Sequence, residues 1–227
     1  PGHRPPGTGR GHHRPIRRHS HPGHPHRGTA LRRQSGVPCD TARTCDTMKN
    51  QDIQLIPADL SLAKQATDYY TRNRSFLEAF EPVRDEEFFS LQYQQEVLKR
   101  EMLEYEEKTA FRFYITPVER PTKIIGIIGL NNVVWGAFCS AFLGYKLDKE
   151  YLNRGYVSMS VAMLIKYAFE ELGLHRIEAN VMPKNKASLR VLEKNHFVNE
   201  GISKYYLNIN GVWEDHIHMV KINYAMH

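Results

Sequence analysis

One polar turn carries more structural information than any other part of this chain: Met182-Pro183-Lys184-Asn185-Lys186-Ala187-Ser188. An apolar-alternating run at 175–181 precedes it, and a short helical pattern follows it. The segment therefore predicts a strand end, a turn and the start of a helix. About thirty residues earlier, Leu152-Asn153-Arg154-Gly155-Tyr156 predicts a second helix start, because a long run with helical periodicity begins after its glycine.

Length and composition allow one well-cored domain with a tail. The chain has 227 residues, of which 41% are apolar. Residues 1–47 contain nine Arg, seven His, no Lys and two acidic residues, together with many Pro and Gly. Such a composition cannot bury enough apolar surface to offset the entropy of ordering the chain. We therefore predict a disordered Arg/His/Pro-rich tail at 1–47 and one folded domain at 48–227.

The positive charge of the chain is confined to that tail. The whole chain carries +6, the tail +7, and residues 48–227 only −1. Nucleic-acid binding is disfavoured, because the tail lacks lysine and interleaved aromatic side chains. No metal is expected, since the tail histidines lack the paired spacing of a structural zinc site. Met48 directly precedes the first strand-like run, so we expect it to be the natural start and the preceding residues not to be native.

Cysteine usage and hydropathy predict a cytoplasmic protein. Cys39 and Cys45 lie in the tail, which leaves only Cys139 for the domain and no disulfide framework within it. Cys139 is expected to be a core residue rather than a nucleophile, because nothing next to it suggests an activating base. The sequence has no apolar run of eighteen residues, and no membrane association is expected.

Periodicity predicts an α/β fold whose mixed central sheet has about seven strands and is flanked by about four helices. The strands are expected at 53–57, 111–115, 123–130, 137–147, 175–181, 202–209 and 215–222. The helices are expected from Asp59 to a polar turn at 72–74, over 86–107, from Gly155 to Gly173, and after Lys186. A strand–helix–strand order requires a right-handed crossover, so at least two neighbouring strands are parallel.

A loop that enters a helix at a glycine can bind an anion, because free N–H groups and the helix dipole converge there. Residues 152–157 have that position. Asn153 tolerates a left-handed conformation, Gly155 admits a phosphate to the backbone, and Arg154 can pair with it. An ordinary turn would also explain the glycine, and the segment 185–188 can be a simple helix cap. Parallel neighbouring strands would put both helix starts at the ligand-binding end of the sheet.

Matches to one known family run in order through the chain. They are Asp68-Tyr69-Tyr70, Asn73-Arg74, Phe76-Leu77, Glu81-Pro82-Val83-Arg84-Asp85-Glu86, Asn132-Val133-Val134, Gly136, Leu143-Gly144-Tyr145, Arg154-Gly155-Tyr156, His175-Arg176-Ile177, Ala179-Asn180, Met182-Pro183, Asn185-Lys186, Ser188, Glu200-Gly201, Gly211, Trp213 and Asp215-His216. On these segments the sequence resembles the GCN5-related N-acetyltransferases (GNAT). The resemblance is to the RimJ/RimL group that acetylates the N-terminal amino group of ribosomal proteins, and is closest to RimJ.

The resemblance implies a GNAT fold and a ternary complex in which the acceptor amine attacks acetyl-CoA directly. Acetyl-CoA would lie between the strand ending near Leu147 and the strand at 175–181, with the acetyl carbonyl held by backbone N–H groups. The implied acetyl-CoA residues are Gly144, Tyr145, Lys146, Leu147, Leu152, Asn153, Arg154, Gly155, Tyr156, Val157, Asn185 and Ser188.

The sequence departs from the family pattern at several positions. The phosphate loop has Leu152 where the family has Gln or Arg, and Val157 where it has Gly or Ala. Leu192 occupies the place of the usual tyrosine that protonates the thiolate. The serine that matches Ser188 is thought to act as the acid in RimL-type enzymes, while their presumed basic glutamate falls on Leu207.

The catalytic base is therefore left open, and Ser188 and Glu81 are the candidate catalytic residues. About a tenth of an α-amine with a pKa near 8 is neutral at pH 7, so a weak base or a water chain suffices. Glu81, Asp85 or His216 can anchor such a chain. Loop ion pairs for the two carboxylates and hairpin packing for the histidine are the structural alternatives. The predicted acceptor residues are Phe80, Arg84, Asp85, Trp213 and His216, and Trp213 can equally be a core residue.

These observations predict an acetyl-CoA-dependent acetyltransferase acting on a protein N-terminus, with a ribosomal protein as the expected acceptor. An aminoglycoside or polyamine acetyltransferase is the first alternative. A non-catalytic acyl-CoA-binding protein is the second. The oligomeric state is left open between monomer and homodimer.

Overall fold

The computed structural model describes residues 47–227. Within this range eight strands form one sheet: β1 (Met48–Lys49), β2 (Ile53–Pro57), β3 (Phe111–Pro117), β4 (Gly126–Val134), β5 (Ser140–Leu147), β6 (Arg176–Val181), β7 (Val198–Ile209) and β8 (Val212–Ile222). Four α-helices accompany them: α1 (Ala63–Leu77), α2 (Leu91–Glu106), α3 (Tyr156–Lys166), which continues as a π-helical segment at Tyr167–Glu171, and α4 (Lys186–Lys194). The order across the sheet is β1-β2-β3-β4-β5-β6-β8-β7.

The predicted mixed α/β fold is confirmed, and the sheet has one strand more than expected. Met48–Lys49 adds an edge strand by pairing with Gln54 and Leu55. The predicted tail, with Cys39 and Cys45, lies outside the described residues apart from Thr47. None of the helices within residues 47–227 is long and apolar enough to cross a membrane.

Two of the predicted helix boundaries are wrong. The polar residues at 72–74 do not end α1, because Asn73 is buried and its amide accepts a hydrogen bond from the Lys149 N–H, 3.1 Å away. The helix expected over 86–107 is divided at Ser90, whose hydroxyl accepts from the Tyr93 N–H and so caps α2. Residues Glu86–Phe89 form a separate 3₁₀ turn.

Cys139 does not lie in the core as expected. It stands half-buried in the loop before β5, and its thiol donates to the Gly173 carbonyl at 3.6 Å. A loop connecting two strands runs over the surface, which explains why its cysteine is not enclosed.

Helices cover the two faces of the sheet in pairs. On one face, Val161 and Leu164 of α3 and Leu192 of α4 belong to the same buried cluster as Ile177 and Ala179 of β6. On the other face, Tyr69 and Tyr70 of α1 and Leu98 of α2 pack with Tyr114 and Ile127. Burial of these apolar side chains is the main favourable contribution to folding.

The sheet opens between its two central strands. β5 and β6 are parallel, and they pair only at Ser140–Arg176, Ala141–Ile177 and Phe142–Glu178. Both strands then continue, to Leu147 and Val181, without pairing to each other. We call this gap the split. Backbone N–H and C=O groups that face a gap need another partner, so the split is a place for a ligand.

A buried ion pair joins α1 to the end of β5. Arg72 Nε lies 2.7 Å from Asp148 Oδ2, and the Asp148 side chain is 1% exposed. The Glu150 N–H donates to the same carboxylate at 3.0 Å. Burial by itself would raise the pKa of Asp148, but the hydrogen bonds from Glu150, Arg72 and Asn73 outweigh it and hold the pKa below its usual value.

Asp148→Ala is expected to lower the free energy of unfolding by about 3 kcal/mol, because it leaves a partly buried guanidinium without its carboxylate. The wild-type contribution of Asp148 should be present above the unfolded pKa of about 3.9, and lost as pH falls through the lower folded pKa. Urea unfolding at several pH values measures both effects. Asp68→Ala removes the exposed pair with Lys64 and should cost less than about 1 kcal/mol. Equal losses of unfolding free energy in Asp148→Ala and Asp68→Ala would contradict a stabilising role of the Arg72–Asp148 pair.

Candidate active site

The loop that follows β5 enters α3 in an unusual backbone conformation. Asn153 has φ 60° and Gly155 has φ 81°, so both adopt the left-handed conformation that the sequence led us to expect for Asn153. Residues 152–155 are exposed. A Cβ atom added to Gly155 would meet nothing within 4 Å, which shows that the space above the loop is open.

The N-terminus of α3 faces solvent without a capping side chain. Gly155 is the N-cap residue and has no side chain to accept from the first N–H groups of the helix. These groups and the positive end of the helix dipole favour an anion. Arg154 adds a positive charge at the same place, and its guanidinium lies over the Tyr151 ring, 5.1 Å from the ring centre. Tyr156 and Val157 are half-buried and pack against the core.

The start of α4 contributes two polar residues close to β5. Asn185 caps the helix, because its side-chain oxygen accepts from the Ser188 N–H at 3.1 Å. The Ser188 hydroxyl lies 2.8 Å from the Tyr145 phenol, which also reaches the Ser188 carbonyl at 3.3 Å. Burial raises the pKa of Tyr145 to about 12, although the hydrogen bond with Ser188 acts in the opposite direction. The predicted cofactor residues Tyr145, Asn185 and Ser188 are thus brought together.

The next residue of β5 points to the other side of the sheet, as alternation requires. Lys146 Nζ lies 2.8 Å from Glu81, and 5.0 Å from the centre of the Tyr70 ring. Burial would lower the pKa of Lys146, but the interactions with Tyr70 and Glu81 outweigh it and raise the pKa. The ion pair supports the structural alternative for Glu81, an anchor of its loop. A role of Glu81 as proton acceptor stays a prediction.

Gly144 and Leu147 complete the predicted acetyl-binding segment of β5. Gly144 is exposed, and a Cβ atom there would meet only Asn131 Nδ2, at 3.3 Å. Leu147 is buried in the core. Leu152 is exposed and extended. It belongs to the segment 152–157, whose first four residues are exposed and which we call the anion loop.

The tip of the β7–β8 hairpin is tied to the loop at 78–85. The Val83 N–H donates to Asn210 Oδ1 at 2.9 Å, and Asn210 Nδ2 donates to the carbonyls of Glu78 and Glu81 at 3.2 Å each. Residues more than 120 positions apart in the chain are joined by one side chain. We call these contacts the Asn210 latch.

The predicted acceptor residues have different surroundings. Phe80 and Arg84 are exposed on the latched loop, and Arg84 lies over the Phe88 ring. Asp85 caps the 3₁₀ turn by accepting from the Phe88 N–H. Trp213 is 57% exposed, which excludes a core position.

His216, by contrast, is only 4% exposed and packs against Tyr206. Its Nδ1–H donates to the Glu214 carbonyl at 3.0 Å. This surrounding is the hairpin packing considered as its structural alternative. Contact of any of these five residues with an acceptor remains a prediction. Among residues 47–227, no three His, Cys, Asp or Glu side chains come together as metal ligands would.

Sequence comparison identifies the family. Residues 55–198 match the family model described as an acetyltransferase (GNAT) domain. The chain is 37% identical over 171 residues to a probable N-acetyltransferase of Bacillus subtilis, YjcK, which covers 74% of this chain and 93% of that protein. It is 36% identical over 156 residues to the ribosomal protein uS5-alanine N-acetyltransferase of Escherichia coli, covering 68% of this chain and 79% of that protein.

Solved structures have the same fold. The ribosomal-protein-S5-alanine acetyltransferase of Vibrio fischeri superimposes with a TM-score of 0.75 at 34% identity, covering 79% of this chain and 97% of that one. Mycobacterium smegmatis RimJ, solved in complex with CoA-disulfide, has a TM-score of 0.72 at 26% identity and covers 77% and 83% of the two chains.

Asn210→Gly is expected to release the loop at 78–85 without backbone strain, because glycine tolerates the φ of 51° found at this position. The Val83 amide loses its acceptor, so its hydrogen exchange should become about fivefold faster, as for the loss of about 1 kcal/mol of local stability. Amide exchange measured by NMR tests this. Asn208→Ala, which changes the same turn without touching the loop, should leave Val83 protected. Unchanged exchange in Asn210→Gly would refute the latch.

Proposed function

The chain belongs to the GNAT acetyltransferase family, and we propose that it transfers an acetyl group from acetyl-CoA to the N-terminal α-amine of a protein. A ribosomal protein is the expected acceptor. One observation carries the proposal: the split between β5 and β6 leads directly to the exposed, left-handed loop and the uncapped N-terminus of α3. An elongated thioester with a pyrophosphate at one end fits such an arrangement. The N-terminus of α3 favours the anionic pyrophosphate, and the split can take the end that carries the thioester.

The pyrophosphate would lie on the backbone of residues 152–157. This backbone is exposed, Gly155 leaves room above it, and Arg154 supplies a countercharge. The replacement of the family's polar side chain by Leu152 matters little if backbone N–H groups do the binding. The CoA-disulfide bound to the Mycobacterium smegmatis relative supports a CoA site in this fold.

The pantetheine arm would enter the split beside Asn185 and Ser188, with the thioester next to β5. Backbone N–H groups of residues 144–147 would receive the carbonyl oxygen as it becomes an oxyanion. The neutral amine attacks the acetyl carbon, the C–N bond forms, and the C–S bond breaks. The sulfur leaves as a thiolate next to the Ser188 hydroxyl, and the surplus amine proton passes to solvent.

The surroundings of the latched loop favour a peptide acceptor over a polycation. A polyamine or aminoglycoside would need free carboxylates in its groove. Glu81 is paired with Lys146, and Glu78 and Glu86 both reach Arg74, at 3.3 and 2.7 Å. Asp85, the remaining carboxylate of the loop, accepts from the Phe88 N–H. The relatives named as uS5-alanine N-acetyltransferases support a protein N-terminus, and alanine at that end is our first choice.

Thiol release from acetyl-CoA tests the proposal. Peptides with the N-terminal sequences of ribosomal proteins, aminoglycosides and polyamines are supplied in parallel to wild type and to Ser188→Ala. We expect turnover on a peptide with a free α-amine, and a loss of about a hundredfold in kcat for the variant. The same peptide with a blocked α-amine and a free lysine should be inert. Turnover only on an aminoglycoside or polyamine would show that the acceptor is a small amine and not a protein N-terminus. CoA binding without any turnover would favour a non-catalytic acyl-CoA-binding protein.

Gly155→Ala tests whether the anion loop binds acetyl-CoA, and a control distinguishes lost binding from lost stability. An alanine in the left-handed region costs about 1 kcal/mol, and its Cβ would project into the space assigned to the pyrophosphate. We expect about tenfold weaker acetyl-CoA binding in calorimetry. Gly173→Ala is the matched control, because Gly173 also has a positive φ, 67°, and nothing within 4 Å of an added Cβ. It should lose the same stability and bind acetyl-CoA normally. Equal acetyl-CoA affinities of the two variants would show that the anion loop is not part of the acetyl-CoA site.

A further inference from the structure

The hydroxyl pair at the edge of the split has a function that the fold alone does not require. We infer that Tyr145 is a positioning residue, whose phenol orients the Ser188 hydroxyl so that its hydrogen points to the leaving sulfur. This inference rests on the acetyl transfer proposed above. It adds Tyr145 to that proposal as a residue that acts on the reaction only through its hydrogen bond with Ser188.

Both residues lie where the sheet has opened. Tyr145 is three positions beyond Phe142, the last β5 residue that pairs with β6. Ser188 lies in the first turn of α4, and its backbone is held by the Asn185 cap. The Tyr145 ring packs against the core on the side of α3 and α4, so its hydroxyl is delivered to Ser188 by a fixed ring. The Ser188 hydroxyl can rotate about its C–O bond, whereas the Tyr145 ring is held by its packing against the core.

Either hydroxyl of the pair can donate the hydrogen bond, and the positioning role requires the direction in which the phenol donates to the serine. Each hydroxyl has one hydrogen and two lone pairs. The Ser188 carbonyl can only accept, and at 3.3 Å it is the more distant partner of the phenol, compared with 2.8 Å to the Ser188 hydroxyl oxygen. When the phenol donates to that oxygen, the serine keeps its own hydrogen for a third group. A sulfur that enters the split with the thioester is such a group.

The Tyr145 phenol keeps its proton throughout the pH range in which the acceptor amine reacts. Burial raises the pKa of Tyr145 to about 12, so it is a neutral donor at any pH at which the amine reacts. Neither hydroxyl needs to ionise. The sulfur leaves as a thiolate that accepts the hydrogen bond of Ser188, and later takes a proton from water. A hydrogen bond to the charged form lowers the pKa of a thiol.

The test follows the thiol itself, in the complex of the protein with CoA. The ultraviolet absorbance of the thiolate is titrated against pH for wild type, Tyr145→Phe, Ser188→Ala and the double variant. Ordinary thiols have a pKa of about 8.5. We expect the bound thiol to titrate about one pH unit higher in Tyr145→Phe than in wild type, and the double variant to equal Ser188→Ala. Tyr105→Phe is the matched control, because it removes a hydroxyl pair of the same length, 2.8 Å to Tyr167, elsewhere.

Turnover gives the second readout. Tyr145→Phe should reduce kcat by about tenfold with little change in the KM for acetyl-CoA, and should have no further effect in the Ser188→Ala background. Thermal unfolding of each variant shows whether it is folded.

Two results would overturn the inference: a thiol pKa in Tyr145→Phe equal to that of wild type, or full additivity of the two substitutions. If wild type lowers the pKa of the bound thiol but acetylates no acceptor, the proposed function fails, while the titration still decides the role of Tyr145.

Discussion

Two parallel strands, β5 and β6, share three residue pairs and then separate. The position of the rest of the candidate site depends on this separation. A sheet normally satisfies its backbone groups by pairing each strand along its length. Here the sheet opens in its middle, with helices on both faces to keep the remaining core covered. The start of α4 approaches from one face and the loop at 78–85 from the other, so that two different sets of side chains meet at one gap.

Alternation along β5 distributes the chemistry between the two faces. Tyr145 reaches α4 and hydrogen-bonds Ser188, while Lys146 reaches Glu81 on the opposite side. Both interactions cross the fold between residues that are distant in the chain. A buried ion pair contributes little net stability once the cost of desolvation is counted, but it tolerates no loose geometry. The Lys146–Glu81 and Arg72–Asp148 pairs therefore serve mainly to hold loops at defined positions around the split.

Most of the architecture was predictable because it depends on local patterns. The strand at 176–181, the turn at Asn185 and the helix after it followed from alternation, a polar turn and helical periodicity. The left-handed Asn153 was also expected. The end of α1 was not, because polar residues at 72–74 have the composition of a turn. They remain helical since Asn73 is buried against Lys149, a partner 76 positions away.

The amino-acid pattern was therefore sufficient for the order of the four helices and of all the described strands except β1, for the two helix starts next to the split, and for the glycine that opens the anion loop. Each of these depends on neighbours within a few residues. The tertiary structure alone decided that Tyr145 meets Ser188, that Lys146 meets Glu81, and that Asn210 ties the hairpin to a loop near residue 80. Such contacts have no periodic signature, because they arise only when a twisted sheet brings distant segments of the chain to the same place.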